Sequence, residues 1–178
     1  MPDNGLGKGA EFMNKSMIIK VEVNNETQEW KIRPGEILLD VLRREGYLSV
    51  KEGCRQGTCG SCVVLLDGRP VNSCIVPAAH CDGRNITTTE GLGTIDKLHA
   101  LQESFLNSGA VQCGYCTPGM LMSSKALLDE NPDPSEEEIR LALDGNLCRC
   151  TGYVKIVEAV KDAARKIRKQ NKKKKSRA

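Results

Sequence analysis

Cysteine carries the strongest chemical signal in this sequence, because four of its nine cysteines lie between Cys54 and Cys74. The first three are spaced Cys-x4-Cys-x2-Cys, and the fourth follows twelve residues after the third: Cys54, Cys59, Cys62 and Cys74. This is the plant-type ligand spacing of a [2Fe–2S] cluster. Three thiolates from one loop require a tightly curled backbone, which Gly53, Gly57 and Gly60 permit.

A structural zinc site is the alternative for these four cysteines. Zinc ligands usually occur as two close pairs, whereas the close group here is a triplet. The spacing therefore favours an iron–sulfur cluster over zinc.

A second set of four cysteines occurs later in the chain as two close pairs: Cys113, Cys116, Cys148 and Cys150. Each pair stands at the junction of two predicted helices, so the two junctions can meet at one site. Cys116 precedes a helix N-terminus, where the helix dipole and free N–H groups favour the thiolate. We expect a second [2Fe–2S] cluster here, with a structural zinc between two helical hairpins as the alternative.

Length and composition limit the class of protein. A chain of 178 residues holds one domain or two small ones. We find no run of about 18 apolar residues and no signal peptide, and so expect neither membrane insertion nor export. Nine cysteines in this context argue for metal ligands in the reducing cytoplasm rather than disulfides. The ninth, Cys81, is expected to be a free thiol.

The first half of the chain alternates apolar and polar residues and contains several turn signals. Asn24-Asn25 predicts the turn of a hairpin, and Gly46 predicts the end of a short helix. We predict strands over 17–23, 27–32 and 62–66, a return through 70–74, a strand over 85–89, and a helix over 37–44. This order predicts a small mixed β domain with one helix packed across it.

The second half has helical periodicity. Thr94 is predicted to cap a helix with the apolar residues Ile95, Leu98, Leu101, Phe105 and Leu106. Pro118 suits the first turn of the next helix, and Ser135 with Glu138 forms a capping box before a third. The third carries Ile139, Leu141 and Leu143, and the fourth is lined by Val154, Val157, Val160, Ala164 and Ile167. We therefore predict a four-helix domain.

Composition suggests four segments. Residues 1–15 are expected to be a disordered extension or cloning remnant, and residues 169–178 a disordered basic tail. Between them we expect a [2Fe–2S] domain over 16–92 and a helical [2Fe–2S]-binding domain over 93–168. Residues 90–93 form the predicted linker.

Four stretches of this sequence resemble the small iron–sulfur subunit of the molybdenum hydroxylases, the family of xanthine dehydrogenase and aldehyde oxidase. The stretches are 50–62, 67–74, 109–119 and 145–153, and the resemblance covers roughly residues 17–165. It implies the α+β class, with a plant-ferredoxin-like β-grasp domain followed by a four-helix bundle.

The resemblance also implies function and partners. It implies an electron-transfer subunit of a multi-subunit oxidoreductase, whose two [2Fe–2S] clusters relay electrons between molybdopterin in a large subunit and FAD in a medium subunit. Cys150 would be the ligand closest to the pterin, and Gln112 would hydrogen-bond to it. A heterotrimer or a dimer of heterotrimers is the implied assembly, and no catalytic residue is expected in this chain.

Two other classes of function stay open at this point. One is a stand-alone redox-sensing iron–sulfur protein, and the other is an interaction module with two zinc ions. The sequence contains no Gly-x-Gly-x-x-Gly motif and no recognisable nucleophile motif, and we expect His80 and His99 to be surface or packing residues. The run Lys172 to Lys175 is expected to be a solvated basic end, without nucleic-acid binding.

Overall fold

A computed structural model describes residues 16–175 of the chain. The predicted extension over 1–15 and the last three residues of the predicted tail lie outside the described residues. The first half contains β1 Met17–Val23, β2 Glu26–Ile32, α1 Leu38–Arg44, β3 Val63–Leu66, β4 Arg69–Asn72 and β5 Asn85–Thr87. The second half contains α2 Ala100–Asn107, α3 Thr117–Glu130, α4 Glu136–Leu143 and α5 Val154–Lys175.

The five strands form one mixed sheet in the order β2-β1-β5-β3-β4. β1 and β5 are parallel, and the other neighbouring strands are antiparallel. The β1–β2 hairpin turns at Asn24 and Asn25, whose φ values are +54° and +70°. Asparagine tolerates this left-handed backbone, so the predicted turn forms where its residues favour it. The sheet with one crossing helix, followed by helices, confirms the α+β class.

The core of the first half lies between the sheet and α1. Ile19, Val21 and Val23 alternate with exposed residues along β1 and pack against Trp30 of β2 and the apolar face of α1. The period of two in the sequence therefore selects the face that is buried.

β3 is buried on both of its faces. Val64 belongs to the core under the sheet, whereas Val63 and Leu65 pack on the opposite side against Met122 of α3. This strand therefore connects the sheet to the helical half.

The four helices of the second half share another core. Leu101 and Phe105 of α2, Met120 of α3, Ile139 of α4 and Val160 of α5 are buried in it. The predicted capping box is present, because Ser135 Oγ accepts from the Glu138 N–H at 3.2 Å and the Glu138 carboxylate accepts from the Ser135 N–H at 2.7 Å. The helix predicted from Pro118 begins at Thr117.

The prediction that Thr94 caps the first of these helices is wrong. Residues 94–97 form a turn closed by reciprocal backbone hydrogen bonds of 3.1 Å between Thr94 and Lys97. α2 begins at Ala100, and its cap is His99. As a result Ile95 is 92 % exposed, and Leu98 is also exposed instead of lying in the core.

Three other residues predicted on apolar helix faces are exposed: Leu106, Leu141 and Val154. Their exposure makes the buried stripe of these helices narrower than the apolar pattern predicts. In the structure α5 continues to Lys175, through residues 169–175 of the predicted basic tail. Lysine, arginine and glutamine are good helix formers, so the helix extends beyond its packed part.

Within residues 16–175, no helix is both long enough and apolar enough to cross a membrane.

His99 caps α2 through a neutral ring nitrogen. Its Nδ1 accepts from the Leu101 N–H at 3.2 Å, and Gln102 Oε1 accepts from the His99 N–H at 2.9 Å. Burial lowers the pKa of the imidazole, Lys125 lowers it further, and Asp129 opposes both. The folded protein therefore holds His99 neutral at a pH where an exposed histidine takes up a proton.

We expect the free energy of unfolding to decrease as the pH falls through about 6.5, because the unfolded chain then binds a proton on His99 that the folded chain does not. The loss of stability should grow as the pH is lowered further, until the folded protein also takes up the proton. His99→Asn keeps a capping side chain without a titrating group and should lose less stability over the same range. Urea unfolding of both proteins at several pH values tests this. Identical pH dependence in the two proteins would contradict it.

Candidate metal centres

The loop after α1 directs backbone N–H groups at the cysteine sulfurs. The N–H groups of Gln56 and Thr58 both donate to Cys54 Sγ at 3.3 Å, and the Cys54 N–H donates to Cys59 Sγ at 3.4 Å. Ser61 Oγ lies 3.4 Å from the same Cys59 sulfur. Such donors stabilise negative charge on sulfur, so this loop is built for thiolates.

The thiols of this first set have opposite acidities. The Thr58 hydroxyl, followed by the N–H groups of Gln56 and Thr58, lowers the pKa of Cys54 to about 5. Burial, followed by a hydrogen bond with Cys62, raises the pKa of Cys74 to about 11. The charge of Cys54 also raises the pKa of Cys74. The predicted ligands from the loop and from beyond β4 therefore lie within electrostatic reach of one another.

Cys74 is placed by a short 3-10 turn over Ser73–Ile75 that follows β4. Ser73 ties this turn to the loop, because its hydroxyl and its N–H both donate to Cys62 O, at 2.8 and 3.3 Å. Cys62 and Cys74 are both buried. The fourth cysteine therefore stands on a different element from the first three, which lie in the loop before β3.

The second set of cysteines comes together where three helices meet. Cys113 and Cys116 lie before α3, while Cys148 and Cys150 lie between α4 and α5. Cys113 interacts with Cys150, Cys116 interacts with Cys148, and the charge of Cys113 also acts on Cys116. Residues more than 30 positions apart in the sequence are thus brought to one site.

A threonine supports the second set as Thr58 supports the first. Thr151 Oγ1 lies 3.1 Å from Cys148 Sγ, and the Thr151 N–H donates to the same sulfur at 3.5 Å. Burial of Cys148 opposes its ionisation, but the hydrogen bonds from Thr151 outweigh it and lower the pKa. The Cys148 N–H also donates to the Tyr153 hydroxyl at 2.9 Å. Sequence reasoning missed Thr151 and Tyr153, although Thr151 directly follows the last cysteine.

The expectation that the start of α3 favours the thiolate of Cys116 is wrong for the free thiol. Burial, followed by Cys148 and then Cys113, raises the pKa of Cys116 to about 12. The neighbouring Cys113 likewise raises the pKa of Cys150. Crowded sulfur atoms and burial outweigh the helix dipole, so holding four thiolates here requires a positive partner.

The second set is largely open to solvent. Cys113 and Cys150 are exposed, and Cys116 and Cys148 are only partly buried. The exposed Cys113 and Cys150 lie in turns outside the helices, as does the exposed Gln112. The first set, with two buried cysteines, is the more enclosed one.

The donor sets fit [2Fe–2S] clusters. Each offers four sulfur ligands and hydrogen-bond donors to sulfur, and the loop of the first set has glycines where a larger residue would not fit. A Cβ atom on Gly53 would lie 2.7 Å from Cys59 Sγ, and one on Gly57 would lie 2.9 Å from Ile75 Cδ1. Among the described residues no three His, Cys, Asp or Glu side chains are arranged around one metal ion. A two-iron cluster instead spreads its four ligands over two metals.

Cys81, the ninth cysteine, is buried in the core under the sheet, which also contains Cys62 and Cys74. Burial raises the pKa of its thiol to about 11. His80 lies on the surface beside it.

The two cysteine loops touch each other directly. The Tyr115 hydroxyl, between Cys113 and Cys116, donates to Glu52 O just before the first set. The Leu147 N–H, next to Cys148, donates to Cys59 O at 2.9 Å. The two candidate centres are therefore neighbours.

Comparisons with known proteins match both halves. Residues 21–91 match the 2Fe-2S iron-sulfur cluster binding domain, and residues 88–161 match a [2Fe-2S] binding domain. The nicotinate dehydrogenase small FeS subunit of Eubacterium barkeri is 51 % identical over 85 % of this chain and 96 % of its own.

Solved structures agree with this match. Quinoline 2-oxidoreductase of Pseudomonas putida 86 has a TM-score of 0.84 and 43 % identity over 88 % of this chain and 98 % of the matched chain. The aldehyde oxidoreductase of Desulfovibrio desulfuricans ATCC 27774 has a TM-score of 0.83 and 45 % identity over 85 % of this chain, but over only 17 % of its own longer chain.

These matches define an iron–sulfur protein with two [2Fe–2S]-binding domains. The chain belongs to the small iron–sulfur subunits of the molybdenum hydroxylases, the family of xanthine dehydrogenase and aldehyde oxidoreductase, and is a subunit of a multi-subunit oxidoreductase.

We expect Thr58→Val to lower the reduction potential of the first cluster and Thr151→Val to lower that of the second. Each change removes a hydroxyl donor to a ligand sulfur, and the reduced cluster carries more negative charge. A bond about 1 kcal/mol stronger in the reduced state corresponds to a shift of about 40 mV for one electron. Redox titration followed by EPR of each cluster measures both shifts.

Thr27→Val is the matched control, because Thr27 is an exposed residue of β2. It should leave both potentials unchanged. A shift in the other cluster, or equal shifts in all three variants, would rule out these hydroxyls as local donors.

Proposed function

We propose that this chain is an electron-transfer subunit whose two [2Fe–2S] clusters relay electrons between a molybdopterin centre and FAD. One observation carries the proposal: two four-cysteine sets lie on two [2Fe–2S]-binding domains, and their loops are in direct hydrogen-bond contact. Adjacent redox centres in one small chain form a route for electrons rather than a site for substrate.

The residues of the chain would hold and tune the clusters. A [2Fe–2S] cluster bound at each set would supply one-electron transfer. Cys54, Cys59, Cys62 and Cys74 would bind the first cluster, and Cys113, Cys116, Cys148 and Cys150 the second. The donors from Gln56, Thr58 and Thr151 would stabilise the added negative charge, and the partial burial of each set would limit access of water.

The exposed side of the second set would face the large molybdopterin-binding subunit. Cys113, Cys150, Gln112 and Tyr115 are all exposed there, which suits coverage by a partner. In that arrangement Cys150 would be the ligand nearest the pterin, and Gln112 would hydrogen-bond to it. The longer aldehyde oxidoreductase chain, of which this chain matches 17 %, supports association with a larger catalytic unit.

The more enclosed first set would serve a medium subunit that holds FAD. We propose a heterotrimer or a dimer of heterotrimers in the cytoplasm. We also propose that residues 16–92 form a β-grasp domain and residues 93–168 a four-helix bundle.

The substrate would be chosen in another subunit. The relatives named above are a nicotinate dehydrogenase, a quinoline oxidoreductase and an aldehyde oxidoreductase, yet their identities to this chain are similar, at 51 %, 43 % and 45 %. One electron-transfer subunit design therefore serves different substrates.

Low-temperature EPR of the dithionite-reduced protein tests this function, with iron and sulfide counted on the same sample. We expect two distinct rhombic signals and about four irons per chain. Cys62→Ala should remove one signal and Cys148→Ala the other, each with loss of about two irons.

Cys81→Ala is the matched control and should retain both signals, because Cys81 lies outside both sets. Zinc without an EPR signal, in protein purified without air or chelator, would overturn the electron-transfer function. Copurification of larger subunits that contain molybdenum and flavin is the expected companion result.

A further inference from the structure

Asn146 is a buried polar residue in the turn between α4 and Cys148, with 3 % of its surface exposed. Its backbone N–H donates to Leu143 O at 2.9 Å, which fixes the turn. Both polar atoms of its side-chain amide form hydrogen bonds. Nδ2 donates to Gly60 O at 3.0 Å, and Oδ1 accepts from Ser123 Oγ at 2.8 Å. One side chain thus joins the first cysteine loop, helix α3 and the second cysteine turn.

Both ends of this connection lie beside predicted metal ligands. Gly60 directly follows Cys59, and Asn146 is followed by Leu147 and then Cys148. The Leu147 N–H donates to Cys59 O at 2.9 Å, so two neighbouring hydrogen bonds join consecutive carbonyls of one loop to consecutive residues of the other. A change in this connection would move a ligand of each set.

The packing around Asn146 leaves no room for adjustment. A Cβ atom on Gly60 would lie 2.5 Å from Asn146 Nδ2 and 2.5 Å from Gly145 O, and the φ of Gly60 is +69°. A Cβ atom on Gly119, in the first turn of α3, would lie 2.1 Å from Gly60 O. Bare backbone at both glycines lets the Asn146 amide reach the loop.

We propose that Asn146 is a positioning residue that fixes the separation of the two cysteine sets, and with it the rate of electron transfer between their clusters. This inference rests on the proposed function. Buried hydrogen bonds with both partners satisfied are directional, and an unpaired group at either end is costly. Functional groups must be held within about 0.5 Å of their working geometry, and electron transfer depends steeply on distance.

The test compares Asn146→Asp with the unchanged full-length protein carrying both clusters. Aspartate has the same shape and still accepts from Ser123, but it places a carboxylate oxygen against Gly60 O. We expect altered magnetic splitting between the two reduced clusters in EPR, and electron exchange between them slowed about tenfold or more. Hydrogen exchange of the Leu147 amide, which needs no cluster, should become faster.

Two further variants make the result decisive. Asn171→Asp makes the same chemical change at an exposed position of α5 and should leave splitting, rate and exchange unchanged. Ser123→Ala removes the donor to Asn146 Oδ1 and should give a smaller change of the same kind. If Asn146→Asp loses a cluster, Ser123→Ala is compared with the unchanged protein in its place.

The outcomes separate the two proposals. If Asn146→Asp and Ser123→Ala each keep two clusters with unchanged splitting and exchange rate, the role of Asn146 is overturned and the proposed function still stands. A wild-type protein without two EPR signals would overturn the proposed function, and this inference with it.

Discussion

The burial and crowding of cysteine thiols is the constraint on which this structure depends. Burial and neighbouring sulfurs raise the pKa of Cys74 to about 11 and that of Cys116 to about 12, so the free protein resists placing full charge at either set. Cys54 is the opposite case, because a hydroxyl and two backbone N–H groups lower its pKa to about 5. Each set thus joins thiols that ionise readily to thiols that require a positive metal core beside them. Metal binding and completion of the fold are therefore expected to be coupled.

The two halves differ in fold but depend on each other for the geometry of their sites. β3 is buried on both faces, because α3 covers the face that would otherwise be exposed. The cysteine loops then meet at backbone carbonyls: Cys59 O accepts from the Leu147 N–H, and Gly60 O accepts from the Asn146 side-chain amide. The first contact involves no rotatable side-chain bond, and the second comes from a buried side chain that is hydrogen-bonded at both of its polar atoms. Such contacts suit two redox centres whose separation has to stay constant.

The two cysteine sets differ in their exposure to solvent. The first set is enclosed by its own domain, whereas Cys113 and Cys150 are exposed at the helix ends. An exposed pair of sulfur ligands is expected to lie against a partner subunit, and exposure is among the factors that set cluster potential. Assembly with a partner would therefore change the second cluster more than the first.

The sequence by itself determined the features that depend on local spacing. The two cysteine sets, the Asn24-Asn25 turn, the capping box at Ser135 and the alternation along β1 could all be predicted, because each is decided within a few residues of chain. The tertiary structure decided which apolar residues are buried, so that Ile95 is exposed while Met122 packs against β3. It also decided that His99 is a helix cap and that Cys116 holds its proton tightly. Burial and the approach of distant sulfurs arise from packing between elements, which sequence spacing does not contain.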